Sequence, residues 1–153
     1  MRLRNLVVAT VATALVVAMT GGPALAKTVV AGVEGGRLLT VELLGSNEVP
    51  GPGDPDGSGT ALISVNPSKE RLCYELTAEN IATATAAHIH EAPAGTAGPV
   101  VVGLAPPADG SSSGCVAADK TLLKEIKKDP AGYYVNVHNA EFPAGALRGH
   151  LSR

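Results

Sequence analysis

Along most of the chain, apolar residues recur at every second position in short runs, and clusters of Gly, Pro, Asp and Ser break the runs apart. An extended chain points successive side chains to opposite faces, so this period of two predicts half-buried strands. Arg37 to Leu44, rich in Leu and Val, is the first candidate. Glu48 to Ser58 follows with four Pro or Gly residues in a row, Pro50-Gly51-Pro52-Gly53, and reads as a loop. Thr60 to Val65 and Arg71 to Thr77 flank the turn sequence Asn66-Pro67-Ser68-Lys69-Glu70 and predict a hairpin. In the second of these strands Leu72, Tyr74 and Leu76 share one face, and Cys73, Glu75 and Thr77 the other.

Thr85 to His90 is the next strand, followed by a loop of small residues from Ala92 to Gly98. Val100 to Leu104 is continuously apolar and reads as a strand buried on both faces. Pro106 to Gly114 reads as a polar loop leading to Cys115. Thr121 to Lys128 is the one helical stretch, with Leu122, Leu123 and Ile126 on one side, Asp119 or Thr121 as cap, and Pro130 as stop. Tyr133 to His138 and Ala146 to Leu151 complete the strands. Seven to eight short antiparallel strands with one helix predict an all-β Greek-key sandwich or barrel.

The N-terminus breaks this pattern. Arg2 and Arg4 precede an apolar run from Leu6 to Met19, and Ala24-Leu25-Ala26 gives a small-x-small site, so residues 1–26 read as a secretory signal peptide cleaved after Ala26. The run is shorter than the ~20 residues that span a bilayer, and no later segment is apolar enough to cross one. An exported protein without a membrane span is expected, secreted or otherwise extracytoplasmic. The chain carries 12 Lys and Arg against 14 Asp and Glu; losing Arg2 and Arg4 leaves a net charge of −4. A mildly acidic chain without basic clusters excludes nucleic acid as the natural partner. Cys73 and Cys115 are the only cysteines, and an even count in an oxidising compartment predicts a disulfide between them.

The candidate chemistry lies in the histidines. His88 and His90 flank Ile89, so a strand that buries Ile89 projects both imidazoles together. In Tyr133 to His138, Val135 and Val137 claim the core, which turns Tyr134, Asn136 and His138 to the opposite face. If the two strands are neighbours, three imidazoles converge; His150 is a weaker fourth candidate. An imidazole set without thiolates suits copper, with zinc second, and not calcium or magnesium. The alternative is that these histidines form hydrogen bonds that fix loops to the sheet. Glu91, Asn136, Glu141 and His150 stand close enough in sequence to act as further ligands or as partners of the imidazoles. Ser111-Ser112-Ser113 lacks a nucleophile-elbow setting, and no phosphate-binding glycine loop is present.

Four blocks together resemble the CHRD (chordin-like) domain family: Leu43 to Pro50; Leu72 to Leu76; Ala87 to His90 with Gly95 and Gly98 to Val101; and Tyr133 to Pro143 with Gly145, Arg148, Gly149 and Leu151. The resemblance implies a secreted β-sandwich domain occupying residues 27–153. Ala86 to Glu91 also resembles the copper-ligand strand of copper/zinc superoxide dismutases, and Val135 to His138 their later strand with another copper ligand. That likeness implies His88, His90 and His138 as copper ligands. No histidine lies between His90 and His138, so a bridging histidine and a zinc site have no counterpart; Arg148 is the one candidate for an electropositive approach. The expectation is therefore a secreted CHRD-type binding module, without a catalytic residue to name, holding a mononuclear copper ion and engaging an extracellular protein or envelope component. Its alternatives are a copper-only redox protein resembling superoxide dismutase, and a metal-free extracellular interaction or structural domain.

Overall fold

In the computed structural model, which describes residues 36–153, the alternating runs become one antiparallel sheet. The signal peptide read at 1–26 lies outside the described residues. The strands are β1 (Arg37–Leu44), β2 (Ser58–Asn66), β3 (Arg71–Glu79), β4 (Ala84–Glu91), β5 (Val100–Leu104), β6 (Ser111–Ala117), β7 (Tyr133–Asn139) and β8 (Leu147–His150), with helix α1 at Lys120–Lys128. Their order across the sheet is β5-β4-β7-β8-β1-β2-β3-β6. The sheet curls until its two edges nearly meet. Just past β5, the Ala105 carbonyl accepts from Ser112 Oγ of β6 at 2.8 Å, and the Ala105 amide donates to the Tyr74 hydroxyl of β3 at 2.8 Å. The architecture is thus an almost closed barrel, the second of the two arrangements the pattern allowed.

One core fills the barrel. Leu39 and Leu43 of β1, Ile63 and Val65 of β2, Leu72 and Leu76 of β3, Ile89 of β4, Val135 and Val137 of β7 and Leu147 of β8 are all fully buried. Helix α1 adds Leu123 and Ile126 to this core. Its cap is Asp119, whose Oδ1 accepts from the Thr121 and Leu122 amides at 2.7 and 3.1 Å. These amides hold the carboxyl below its usual range. The hairpin between β2 and β3 turns where Asn66 Oδ1 accepts from the Ser68 and Lys69 amides. Among the described residues, no helix is long and apolar enough to cross a membrane.

Two expectations are corrected. Ser111 to Gly114 is not loop but the first half of β6, which pairs with β3 from Thr77↔Ser111 to Arg71↔Ala117. Its serines carry no apolar alternation because it is an edge strand with little of its surface facing the core. The Val100–Leu104 run is not buried on both faces. It is the opposite edge, with Val102 and Leu104 inward and Val100 51% exposed.

Gly149 permits the close passage of β8 over β1. A Cβ placed there would lie 2.0 Å from the Glu42 carbonyl oxygen, and Glu42 is itself held in the β1–β2 ladder opposite Thr60. Gly149→Ala should therefore destabilise the fold by about 1–3 kcal/mol, as overpacking does. The measurement is the urea midpoint; an unchanged midpoint would show that the two strands separate freely.

Candidate metal centre

The outer face of β4, β7 and β8 is polar because the inner face takes the apolar residues. Ile89 is fully buried and Ala87 nearly so, which fixes His88 and His90 outward. A one-residue slip of β4 would expose Ile89, at about 2–3 kcal/mol, and drive both imidazoles into the core. Register then builds three cross-strand rows: Ala86 opposite His138; His88 opposite Asn136 opposite Arg148; His90 opposite Tyr134 opposite His150. The adjacency of β4 and β7 brings the predicted histidines together.

His88, His90 and His138 offer nitrogens that all lie within 4.8 Å of one another. The nearest pair, His88 Nδ1 and His138 Nε2, is 3.2 Å apart. Two nitrogens bound to one ion at ~2.0–2.1 Å are separated by about 3.3 Å in tetrahedral and about 4.1 Å in trans geometry. One pair is therefore already at ligand spacing, and the third nitrogen needs to close by up to about 1.5 Å for tetrahedral or about 0.7 Å for trans geometry. The group is of a kind that can hold a metal ion.

Backbone carbonyls set the tautomers. His138 Nδ1 donates to the Pro143 carbonyl at 3.1 Å, and His90 Nδ1 donates to the Gly98 carbonyl at 2.9 Å. A carbonyl only accepts, so both Nδ1 atoms carry protons and both Nε2 atoms present lone pairs. His90 Nε2 is buried and has no hydrogen-bond partner. Such an orphaned buried nitrogen costs free energy unless something satisfies it. A bare His138 Nε2 makes His88 Nδ1 the donor across the 3.2 Å contact; a tautomer change that moves this proton to His88 Nε2 would free Nδ1 as a third neutral imidazole lone-pair donor.

Local structure places each carbonyl. Asn139 Oδ1 accepts from the Glu141 and Phe142 amides at 3.1 and 2.7 Å, turning the chain after β7 so that Pro143 faces His138. At Gly98 the loop after β4 passes so close that a Cβ would lie 1.9 Å from the Glu91 carbonyl oxygen. Only glycine allows this approach, and with it the Gly98 contact to His90. The same loop is tied to Tyr134, whose hydroxyl accepts from the Gly98 amide at 3.1 Å.

The remaining candidates separate from the three histidines. His150 Nδ1 donates to the Ala131 carbonyl at 3.0 Å, and Tyr134 stands between it and His90 in the row. Glu91 lies instead on a cleft with Glu125, Lys128, Asp129 and Tyr133. Burial, helped by Glu91, Glu125 and Asp129, pushes the Tyr133 phenol up to about 12. Glu141 is exposed in the turn. Asn136 is buried and donates to Glu48 Oε2 and, at 2.8 Å, to the Leu147 carbonyl. Arg148 is 1% exposed, so it is no surface guide for an approaching anion. Glu48 escaped the sequence reading: it sits in the Gly- and Pro-rich loop, yet it is buried against Asn136 and its charge acts on His138.

Burial lowers the pKa of His88, and the imidazoles of His138 and His90 lower it further. Burial also lowers that of His138; the Pro143 hydrogen bond opposes the shift, His90 adds to it and Glu48 opposes it. Both folded values lie below that of the unfolded chain, so the unfolded chain binds more protons on acidification. Their contribution to stability is full above about pH 6.5 and is lost as pH falls through the depressed folded values. Metal-free protein should therefore lose thermal stability below about pH 6.5, and His88→Asn should flatten that part of the profile. Melting curves across pH 4–8 check it; parallel profiles for the two proteins would contradict the linkage.

An eight-stranded antiparallel barrel with three converging imidazoles on its outer face defines the class: an all-β domain with a histidine cluster that can hold a metal ion. The chain belongs to the CHRD domain family, which it matches over residues 39–151. That match runs from β1 to the residue after β8. No curated protein and no solved structure matches the chain.

Proposed function

We propose that the chain is an exported CHRD-domain binding module that holds one copper ion through His88 Nδ1, His90 Nε2 and His138 Nε2. The observation that carries this reading is that one nitrogen from each of the three rings lies within 4.8 Å of the others, with Nδ1 of His90 and of His138 anchored on backbone carbonyls. Anchoring of this kind fixes ring orientation and raises ligand basicity. The donor set favours copper: it is all imidazole, and divalent copper exceeds zinc in affinity for a given nitrogen site. Copper in such a site supplies a one-electron couple and an open coordination position. The Cys73–Cys115 disulfide supports an oxidising compartment, and the basic, apolar and small-residue N-terminal pattern supports export.

The test is metal analysis and EPR of protein purified from an oxidising compartment and loaded with Cu(II). One copper per chain, with hyperfine splitting from three nitrogens, is the expected result. Zinc displacing copper at equal concentration would replace the metal, and sub-stoichiometric uptake of both would remove the reading.

A further inference from the structure

We infer that Arg148 is a positioning residue for His90 and that its buried charge biases the proposed copper site toward Cu(I); the inference rests on the copper reading above. Arg148 is 1% exposed. Its guanidinium carbon lies 3.5 Å from the centroid of the Tyr134 ring. Tyr134 in turn stacks on His90, with centroids 4.8 Å apart and planes 9° from parallel. β4 and β8 flank β7 on opposite sides, so the Tyr134 ring is held between imidazole and guanidinium.

Arg148 also fastens the loop that orients His90. It donates to the Thr96 carbonyl, and that loop carries Gly98, whose carbonyl accepts from His90 Nδ1. A second donation, at 3.5 Å, reaches the Val49 carbonyl on the loop after β1. Its hydrogen-bond partners are therefore neutral carbonyls. The stack and the loop both act on His90, and Arg148 touches both.

The charge has a separate effect. A fixed cation disfavours the more highly charged state of a nearby ion. The guanidinium lies across Tyr134 from His90; at roughly 8–9 Å and an effective dielectric constant near 20, the discrimination between Cu(II) and Cu(I) is roughly 20–30-fold. Glu48 carries the opposite charge on the Asn136 side of the site, but it is present in every variant below and cancels from the comparison.

The experiment measures Cu(I) and Cu(II) affinities by chelator competition in wild type, Arg148→Gln, Arg148→Lys and Tyr134→Leu, each checked for folding by circular dichroism. In Arg148→Gln the ratio of Cu(I) to Cu(II) affinity should fall about 20-fold, a drop of ~77 mV in potential for a one-electron couple. Arg148→Lys keeps the charge and should keep the ratio near wild type. Tyr134→Leu removes the stack and should weaken the His90 nitrogen coupling in the EPR spectrum while the couplings of His88 and His138 persist. If Arg148→Gln does not fold, Tyr134→Leu and Arg148→Lys still decide. Unchanged His90 coupling in the first, or a ratio about 20-fold lower in the second, would overturn the inference. An unchanged ratio in folded, copper-loaded Arg148→Gln would overturn it while leaving the copper reading intact; wild type that takes up no copper would remove both.

Discussion

Replacing His88 or His138 with alanine should lower Cu(II) affinity by on the order of 100-fold or more, because each removes one of the three ligands of the proposed site. Structural zinc sites with four ligands bind with about 10–16 kcal/mol, which is roughly 2.5–4 kcal/mol per ligand, and each 1.4 kcal/mol is about tenfold. The two variants should also differ in kind. His138→Ala deletes the nitrogen that faces His88 Nδ1 at 3.2 Å and leaves the Pro143 carbonyl without its donor. His88→Ala leaves the carbonyl anchors of His90 and His138 in place, so it should lose affinity with less loss of stability. His150→Ala is the control: its Nδ1 is bonded to Ala131 and it stands beyond Tyr134, so affinity should stay near wild type. Chelator-competed Cu(II) titrations of the four proteins measure this. Equal affinities across them would leave the histidines only their role of pinning loops to the barrel.

The pinning role and the ligand role had stood as alternatives in the sequence, but in His90 and His138 they need not compete, since each Nδ1 donates to a carbonyl and leaves Nε2 without a proton. Period-two alternation was enough to read the outward face of each strand, since Ile89, Val135 and Val137 can satisfy themselves only in the core. It could not show that β4 and β7 are neighbours, because β5, β6 and α1 intervene in the chain. Pairing at that separation is decided by the closure of the whole sheet. Nor could it find the carbonyls of Gly98 and Pro143, since a backbone oxygen leaves no side-chain signature. Asn139 followed by Pro143 marked a turn, but its consequence for His138 depends on three-dimensional placement. β6 was illegible for the opposite reason: Ser111 to Gly114 has weak strand propensity, and the ladder to β3 overrides it.

Cleaving the Cys73–Cys115 link should cost more stability than any other covalent change to the barrel. The two cysteines are direct register partners on β3 and β6, with Cα atoms 4.0 Å apart and a sequence separation of 42. In the chain-entropy model, closing a loop of that length restricts the unfolded chain by about 4 kcal/mol, an upper value that measured disulfides often miss by half. The bond matters locally as well. β6 is an edge strand without a fully buried side chain, so backbone ladder bonds and the disulfide hold it more than packing does. Cys73→Ala with Cys115→Ala should therefore lose about 2–4 kcal/mol and lower the melting temperature by roughly 10 °C. Hydrogen exchange should place the first loss of protection in β6 and the facing part of β3, with opening of the Ala105–Ser112 contact that nearly closes the barrel. β5 separates β4 from this seam and β4 is held to β7 by its own ladder, so protection in β4 and β7 and the copper affinity of the variant should change little. An unaltered melting temperature, or protection lost first in β4 and β7, would show that β6 is held by its ladder alone and that the bond lies idle in the folded barrel.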